Sequence, residues 1–461
     1  MRALHEEGIT AVGVYETPDH EARHIRVADE AVWIGDGPRE DYLNIEKIIW
    51  AAKKSGCQAI HPCYGFLAEN PDFARACNDE GIIFIGPTET LIRDFGNKVA
   101  ARRNMEQIGI LCVPGTDSLP KGKEVPIAKE FIKKYGLPVM IKATAGGGGR
   151  GIRKVDSEDG LIAQIQLARQ EAQSTFNDDS IYLEKCLSNP KHIEVQILGD
   201  SHGNVIHLGT RNCSIQRRHQ KLIELAPSLL PADKEQQICQ AALKAGKEIG
   251  YINSGTVEFL VDGNNNYFFL ELNTRLQVEH TVTEMVTDID IVRQQIRIAE
   301  GLPLDIRQED VSVHGYAIEL RINAEDPQND FFPEVGKTVI AYESPGGPGV
   351  RLDGFVYQGF TIPNEYDSLL VKLSVHGFSW PETINRMRRA LRDFVIVGPR
   401  TTIPFYLNIA SEPDFQSGKF DTGYLDSHPE LFEYRVLDRE ELKIARLLAE
   451  IHHHGYNPFA I

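Results

Sequence analysis

Between Thr256 and His280 the chain concentrates side chains that can hold charge. Thr-Val-Glu-Phe-Leu-Val is followed by Asp262-Gly263 and three Asn, then by Tyr-Phe-Phe-Leu-Glu-Leu-Asn-Thr-Arg-Leu-Gln-Val-Glu-His. The aromatic and β-branched flanks read as two strands, and Asp262-Gly263 with its Asn residues as a turn that supplies positive φ. A pairing centred between Asn264 and Asn265 sets Glu258 opposite Glu271. Facing carboxylates repel. A divalent cation between them turns that cost into a site, and Mg²⁺ (or Mn²⁺) suits carboxylates that share an ion with phosphates. Along the second strand Glu271, Asn273, Arg275, Gln277 and Glu279 alternate with apolar or small residues. If the chain stays extended, they form one polar face.

Other candidates lie upstream and downstream. Lys142 leads into Ala145-Gly146-Gly147-Gly148-Gly149-Arg150-Gly151. Clustered glycines let backbone N–H groups wrap an anion. The run is neither a Walker P-loop nor Gly-x-Gly-x-x-Gly. A mobile phosphate-covering lid is the functional reading, and a plain flexible loop the bland one. Glu184-Lys185 ends a strand, and His192, Glu194 and Gln196 alternate on the next. Gln216-Arg217-Arg218-His219-Gln220-Lys221 is dense in cations and lacks the Glu partners of a solvated face, which points to an anion site. Arg321, on an otherwise apolar strand, needs a carboxylate or a substrate anion.

These side chains must be positioned by an α/β framework. Residues 1 to about 94 alternate strands (Ala11 to Tyr15, Ala31 to Ile34, Ala59 to His61, Ile82 to Ile85) with helices (Asn44 to Lys54, Asn70 to Glu80). This is the pattern of a doubly wound parallel sheet. Met1 to Gly8 reads as the tail of a helix, so a unit that should open on a strand opens in the helix after it. Residues 95 to 300 hold a helix from Lys98, a segment of about 113–185 containing the Gly-rich run, and the hairpin. Residues 314 to 425 mix strands (Tyr316 to Ile322, Leu369 to His376) with a helix at Pro381 to Asp393. Residues 426–461 form a tail with a charged helix at Arg439 to His453.

Composition narrows the function class. With 461 residues the chain has room for about three domains. A net charge of −17 disfavours a nucleic-acid partner. Seven Cys without a Cys-x-x-Cys pair read as reduced thiols of a cytoplasmic protein. No apolar run is long enough for a membrane span. A Gly-rich lid with a Lys, a carboxylate pair for Mg²⁺ and Arg/Lys/Gln for an acceptor anion are parts for nucleotide-dependent activation of a small anion.

The motifs together are specific. His61-Pro62-Cys63-Tyr64-Gly65-Phe66-Leu67-Ala68-Glu69, Lys142 to Gly151, Gln216 to Lys221, Glu271 to His280 and Arg321 to Pro327 resemble biotin carboxylase, an ATP-grasp enzyme, over nearly the whole chain. The resemblance implies ATP-driven conversion of bicarbonate to carboxyphosphate, which yields CO₂ for carboxylation of biotin on a carrier protein. It places Lys98, Lys142, Gly148, Gly149, Glu184, Lys185, His192, Gln216, His219 and Glu258 on ATP. Glu258, Glu271 and Asn273 would hold the metal. Lys221, Arg275, Gln277 and Val278 would bind bicarbonate, Val278 through its backbone. Glu279 would be the base, and Arg275 and Arg321 would steady phosphate and the biotin enolate. A biotin carboxyl carrier protein and a carboxyltransferase subunit are the implied partners, within acetyl-CoA or pyruvate carboxylase. The tail looks more like the pyruvate carboxylase type, and a homodimer is the implied assembly.

The chain departs from the family pattern in four places. The first strand and its Asn-Arg-Gly-Glu turn are missing, which should leave two sheet edges exposed. Cys63 stands where a Gly is usual and should be strained if φ is positive there. Thr210 and Asn212 replace a Glu and an Asp, and Leu225 replaces a Glu. Two other readings follow: another ATP-grasp ligase of the carbamoyl-phosphate-synthetase kind, or a non-catalytic scaffold of a carboxylase complex.

Overall fold

The structure is a computed structural model and describes residues 1–144 and 151–434. The expected Gly148, Gly149 and the helix at Arg439 to His453 lie outside the described residues. Near the N-terminus α1 (Arg2–Glu6) closes at Gly8, φ +71°, where the Ile9 N–H reaches the Leu4 carbonyl at 2.8 Å. The parallel strands β1 (Val12–Glu16) and β2 (Glu30–Gly35) pair with each other, as do β3 (Ala59–Ile60) and β4 (Ile83–Phe84). The two pairs are separate sheets. The doubly wound sheet is thus divided, with the open edges expected of it, because among the described residues no strand bridges β1 and β3. Packing spans the interruption instead: Val32 and Ile34 share one core with Ile48 and Ile49 of α3 (Ile45–Lys54), Phe73 and Cys77 of α4 (Pro71–Asp79), and Phe84. Between β1 and β2 lies α2 (Arg23–Val27).

Asn residues start the helices that matter here. Asn44 accepts from the Lys47 N–H and Asn70 from those of Asp72 and Phe73. After α5 (Glu89–Gly96), Asn97 accepts from Val99 and Ala100 and opens α6 (Lys98–Gln107). This cap makes Lys98 the first residue of α6. The segment that follows has its own core. Helices α7 (Glu124–Tyr135) and α8 (Leu161–Phe176) pack on a three-stranded sheet of order β6 (Ile152–Val155), β5 (Val139–Ala143), β7 (Ile181–Lys185).

The site rests on one eight-stranded antiparallel sheet. In chain order its strands are β8 (Lys191–Gly199), β9 (Val205–Arg217), β10 (Gln220–Ala226), β11 (Asn253–Val261), β12 (Tyr267–Asn273) and β13 (Tyr316–Asn323). Two short pairs follow, β14 (Glu325–Asp326) with β15 (Phe332–Pro333) and β16 (Ala341–Glu343) with a later strand at Val395–Val397. Strands β17 (Val350–Gly354) and β18 (Leu369–Gly377) complete the large sheet, whose order is β12-β11-β8-β9-β10-β13-β18-β17. One flank is covered by α9 (Ala232–Glu248), and α10 (His280–Thr287) and α11 (Ile291–Ala299) follow the hairpin. Helix α12 (Trp380–Asp393) covers the C-terminal strands with a large apolar core. The sheet runs without a break from the hairpin into the C-terminal part, so the two halves position their side chains against one scaffold.

Cys63 has φ +57°, and this is the strain expected of a side chain where Gly is at ease. Left-handed backbone costs a non-Gly residue about 1–2 kcal/mol, and Gly's extra chain entropy returns part of it. Cys63→Gly is therefore expected to raise the thermal unfolding midpoint slightly, by roughly 0.5–1 kcal/mol equivalent. A lowered midpoint in calorimetry would show that the thiol packs usefully.

Candidate active site

The hairpin has the expected register at its centre: Glu258 lies opposite Glu271. Two details differ. The positive φ belongs to Asn265, at +59°, and Asp262 closes the turn by accepting from the Asn264 and Asn266 N–H groups at 2.9 Å each. An Asp acceptor at the turn start removes the need for Gly263 to supply the bend. The register also slips by one residue after Glu258, so Phe259 meets Phe269.

The row of acids is longer than the hairpin reading predicts. Glu258 also faces Glu194 on β8, and Glu194 faces Arg211 on β9. Arg211, Glu194, Glu258 and Glu271 therefore stand abreast on four neighbouring strands. Three carboxylates in line demand counter-charge. Arg211, fully buried, donates to Glu194 through Nε and to Gln196, Thr256, Thr283 and Gln277 through its other nitrogens at 2.7–3.1 Å. At the far end Glu271 pairs with Lys98. Between them the Lys221 Nζ donates to Glu194 at 2.6 Å, Glu258 at 2.9 Å and Glu279 at 2.6 Å.

Glu258 is 3% exposed and saturated with partners. His192 Nε2 lies 2.7 Å from Oε2, and Asn273 and Gln277 amides donate to Oε1 at 2.9 and 2.8 Å. Burial alone would raise its pKa; Lys221 and His192 outweigh burial and hold the carboxyl well below the usual range. The Lys221 ammonium is in turn held well above its ordinary value, burial notwithstanding, by Cys213 and the surrounding glutamates.

The polar face expected from Glu271 to Glu279 is not one strand. β12 ends at Asn273, and residues 274–279 form an irregular loop into α10. The loop turns because its groups are claimed from several sides. Glu69, from the His61–Glu69 motif, accepts from the Thr274 N–H at 3.2 Å and from Arg275 Nε at 2.8 Å. Arg275 also donates to the Asn273 Oδ1 at 3.1 Å. Glu279, 2% exposed, accepts from Lys221 and, at 3.1 Å, from Arg321 Nη2. Burial opposes its ionisation, yet Lys221, Arg321 and Arg211 hold its carboxyl far below the carboxylate range. So the expected side chains converge, by a loop rather than by alternation.

Arg321 meets the carboxylates its apolar strand requires: Glu279, and Glu224 at 2.5–2.7 Å. Glu224 faces Glu319 across β10 and β13. Burial pushes Glu224 up to about 8, with Arg321 pulling against it and Glu319 and Glu279 adding to it. A carboxyl raised in the fold binds its proton after the unfolded chain has lost one, so it lowers stability progressively as pH rises from the unfolded pKa through 8. Glu224→Gln is expected to shift the thermal midpoint upward relative to wild type at pH 8.5 and to have little effect at pH 5. Scanning calorimetry at the two pH values checks this; an equal shift at both would mean that the carboxyl does not titrate between them.

The remaining candidates fall in two groups. Lys142 pairs with Glu184 across β5 and β7, and Lys185 ends β7. The Lys98 N–H donates to the Thr144 carbonyl at 2.9 Å, which joins α6 to the end of β5. Gln216 lies opposite Lys221 in the β9–β10 register, and His219 is exposed in the turn between them with φ +63°. The cationic run does have an acidic partner, contrary to expectation. Arg217 and Arg218 both bond Asp330 at 2.7 Å, so of its cations Lys221 is the one that enters the acid row. The replaced residues are satisfied. Thr210 donates to Glu235 at 2.7 Å, Asn212 donates to the Ser228 carbonyl at 3.0 Å, and Leu225 is buried in the C-terminal core.

Two hard-oxygen acids and an amide oxygen fit a divalent cation that also binds phosphates. Glu258, Glu271 and Asn273 would hold it. The structure adds a second set of convergent ligand atoms, His192, Glu194 and Glu258, within 4.8 Å of one another.

Three family models cover most of the chain: the biotin carboxylase N-terminal domain at residues 1–92, the carbamoyl-phosphate synthase L chain ATP-binding domain at 97–307, and the biotin carboxylase C-terminal domain at 319–427. The chain belongs to the biotin carboxylase family. As a biotin carboxylase it is an ATP-dependent ligase with an ATP-grasp fold. It is 48% identical over 456 residues to the 2-oxoglutarate carboxylase small subunit of Hydrogenobacter thermophilus, covering 98% of this chain and 96% of that one. It is 47% identical over 428 residues to biotin carboxylase of Haemophilus influenzae, covering 92% and 95%. The crystal structure of the biotin carboxylase domain dimer of the Hydrogenobacter enzyme, in complex with MgADP, ADP and bicarbonate, superposes with a TM-score of 0.92 at 48% identity, covering 94% of this chain and 96% of that one. Among the described residues no helix is long and apolar enough to cross a membrane.

Proposed function

We propose that this biotin carboxylase uses the convergent loop 274–279 as its bicarbonate site and the acid row as its MgATP site. Biotin on a carrier protein is the acceptor, within a pyruvate- or 2-oxoglutarate-type carboxylase that also contains a carboxyltransferase. The observation that supports this reading is the Lys221 ammonium, which touches Glu194, Glu258 and Glu279 at once. It ties the metal-holding acids to the base, so nucleotide and bicarbonate chemistry share one group. The 113–185 segment acts as the lid over the nucleotide. A homodimer, the form of the Hydrogenobacter domain, is the proposed assembly.

Each role follows from the donors present. Lys142, Lys185, His219 and Lys98 supply cations and N–H donors for a triphosphate, with Glu184, His192 and Gln216 in polar support. Glu258, Glu271 and Asn273 hold Mg²⁺, which when bound neutralises phosphate charge. Arg275, Gln277, Lys221 and the Val278 backbone take the bicarbonate oxygens. Glu279 accepts the bicarbonate proton as the oxygen it leaves attacks the γ-phosphorus; the bond from that phosphorus to the β,γ-bridging oxygen breaks, and ADP departs with the bridging oxygen. Arg321 steadies the enolate oxygen of biotin, charge against charge.

Phosphate release from ATP with Mg²⁺ and bicarbonate, measured with and without free biotin, tests the reading. Bicarbonate-dependent release stimulated by biotin is expected. Release indifferent to both, from protein that binds ATP, would favour another ATP-grasp ligase.

A further inference from the structure

One buried cation outside the assigned set touches the bicarbonate loop from the C-terminal part of the molecule. Lys372 on β18 is 3% exposed. Its register partner on β13 is Arg321, so the two cations stand abreast on one face of the sheet. They reach consecutive residues of the loop: Arg321 donates to the Glu279 carboxylate and Lys372 Nζ to the Val278 carbonyl, the latter at 2.6 Å. Burying an ammonium costs several kcal/mol unless it is paired. Lys372 has Glu319 at 4.0 Å, and the same ammonium lies 5.9 Å from the ring centre of Tyr64.

The surroundings hold Lys372 in place. Glu319, fully buried, accepts from Thr281 in the first turn of α10, and the Thr281 hydroxyl lies 2.8 Å from that of Ser374, two residues along β18. The other Glu319 oxygen is buried without a hydrogen-bond partner, so the oxygen bonded to Thr281 is the one that faces Lys372 at 4.0 Å. Three parts of the chain therefore meet at one Nζ: Tyr64 from the N-terminal motif, Val278 from the hairpin loop and Glu319 from the C-terminal strands.

We infer that Lys372 is a positioning residue for bicarbonate: by fixing the Val278 carbonyl it fixes the Val278–Glu279 peptide plane, which sets the Val278 backbone and the start of the Glu279 side chain. The inference rests on the bicarbonate site proposed above. Val278 lies between two anchored neighbours, Gln277 on Glu258 and Arg211, and Glu279 on Lys221 and Arg321. Fixed side chains on both sides leave the Val278–Glu279 peptide plane a rotational freedom that the Lys372 hydrogen bond to its carbonyl removes. Catalytic geometry is sensitive to such shifts: a displacement of about 1 Å can cost 10²-fold.

The test compares steady-state kinetics of wild type, Lys372→Met and Lys372→Arg, following phosphate release with bicarbonate, ATP and free biotin varied in turn. Lys372→Met is expected to raise the bicarbonate KM about 10-fold or more while leaving the KM for ATP within about 2-fold, and Lys372→Arg, which keeps a donor, to restore most of the difference. A purely structural role would not separate the two KM values. Because Lys372→Met leaves Glu319 without its cation, Lys372→Met with Glu319→Gln is measured in parallel. It should match wild type in thermal midpoint and still show the raised bicarbonate KM. Unchanged bicarbonate KM in either folded variant overturns the inference alone. Wild-type ATP cleavage that ignores bicarbonate would overturn the proposed function, and the inference with it.

Discussion

Glu279→Gln is expected to lower biotin-stimulated, bicarbonate-dependent phosphate release by about 10²–10⁴-fold, the range for loss of a positioned general base. The variant should fold. Lys221 keeps Glu194 and Glu258, and Arg321 keeps Glu224, so neither cation loses its last partner. What disappears is the group that can accept a proton at this point of the loop. The low pKa of Glu279 sharpens the expectation. A carboxylate held far below its usual range by Lys221 and Arg321 is by itself a weak base. Bicarbonate bound to Lys221 and Arg275 adds negative charge beside Glu279 and draws on the same cations. Both effects raise its pKa, so the substrate activates its own base. Glu279 is ionised throughout the range from about pH 5 upward, so any acid limb of kcat/KM in that range belongs to another group. A pH profile of wild type and Glu279→Gln between 6 and 9 checks both statements. Activity within about 3-fold of wild type would place the base elsewhere.

How much of this site is legible in the sequence depends on the range of the contacts. The hairpin is legible because turn residues and alternation are local signals: Glu258 does face Glu271. Arg321 is legible because an apolar strand cannot leave a guanidinium unpaired. The reading falters where geometry is set by distant residues. Glu194 joins the acid row only because β8 inserts between β11 and β9, an order that no local pattern carries. Its alternation with His192 and Gln196 was the available signal, and it needs the strand order to be read as chemistry. Arg211 lacks even that, since its partners come from β8, β11, the loop and α10. Residues 274–279 keep a period-two pattern yet leave the strand, because Glu69, Lys221 and Arg321 pull their side chains in different directions. The doubly wound sheet is legible as alternating elements, whereas its division into two pairs follows from which strands have neighbours.

Glu271→Gln is expected to lower MgATP-dependent turnover by about 10²–10³-fold, the loss expected when a group that holds transition-state charge is removed, and to raise the Mg²⁺ concentration needed for half-maximal rate. It is a cleaner probe of the metal set than Glu258→Gln. Glu258 is also the anchor of His192, Lys221, Asn273 and Gln277. Removing its charge disturbs the base and the bicarbonate loop together, so activity would fall whatever the ion's position. Glu271 has one charged partner, Lys98, at the partly open end of the row. Its replacement leaves the largely buried Lys98 ammonium without its ion-pair partner but still near Glu258 and Glu184, so the thermal midpoint should fall only modestly. Lys98 neutralises Glu271, Lys221 neutralises Glu258 and Arg211 neutralises Glu194, which is how three carboxylates abreast are tolerated. With nucleotide bound, Glu258, Glu271 and Asn273 would hold a divalent ion, and the Lys98 and Lys221 ammonium groups would be free to meet phosphate and bicarbonate oxygens. Calorimetric titration of ADP with and without Mg²⁺ supplies a readout apart from turnover. The variant should bind ADP as wild type does and lose the Mg²⁺ enhancement. If Glu271→Gln keeps the wild-type Mg²⁺ dependence, the ion sits instead among His192, Glu194 and Glu258, and Glu271 is an electrostatic partner of Lys98 alone.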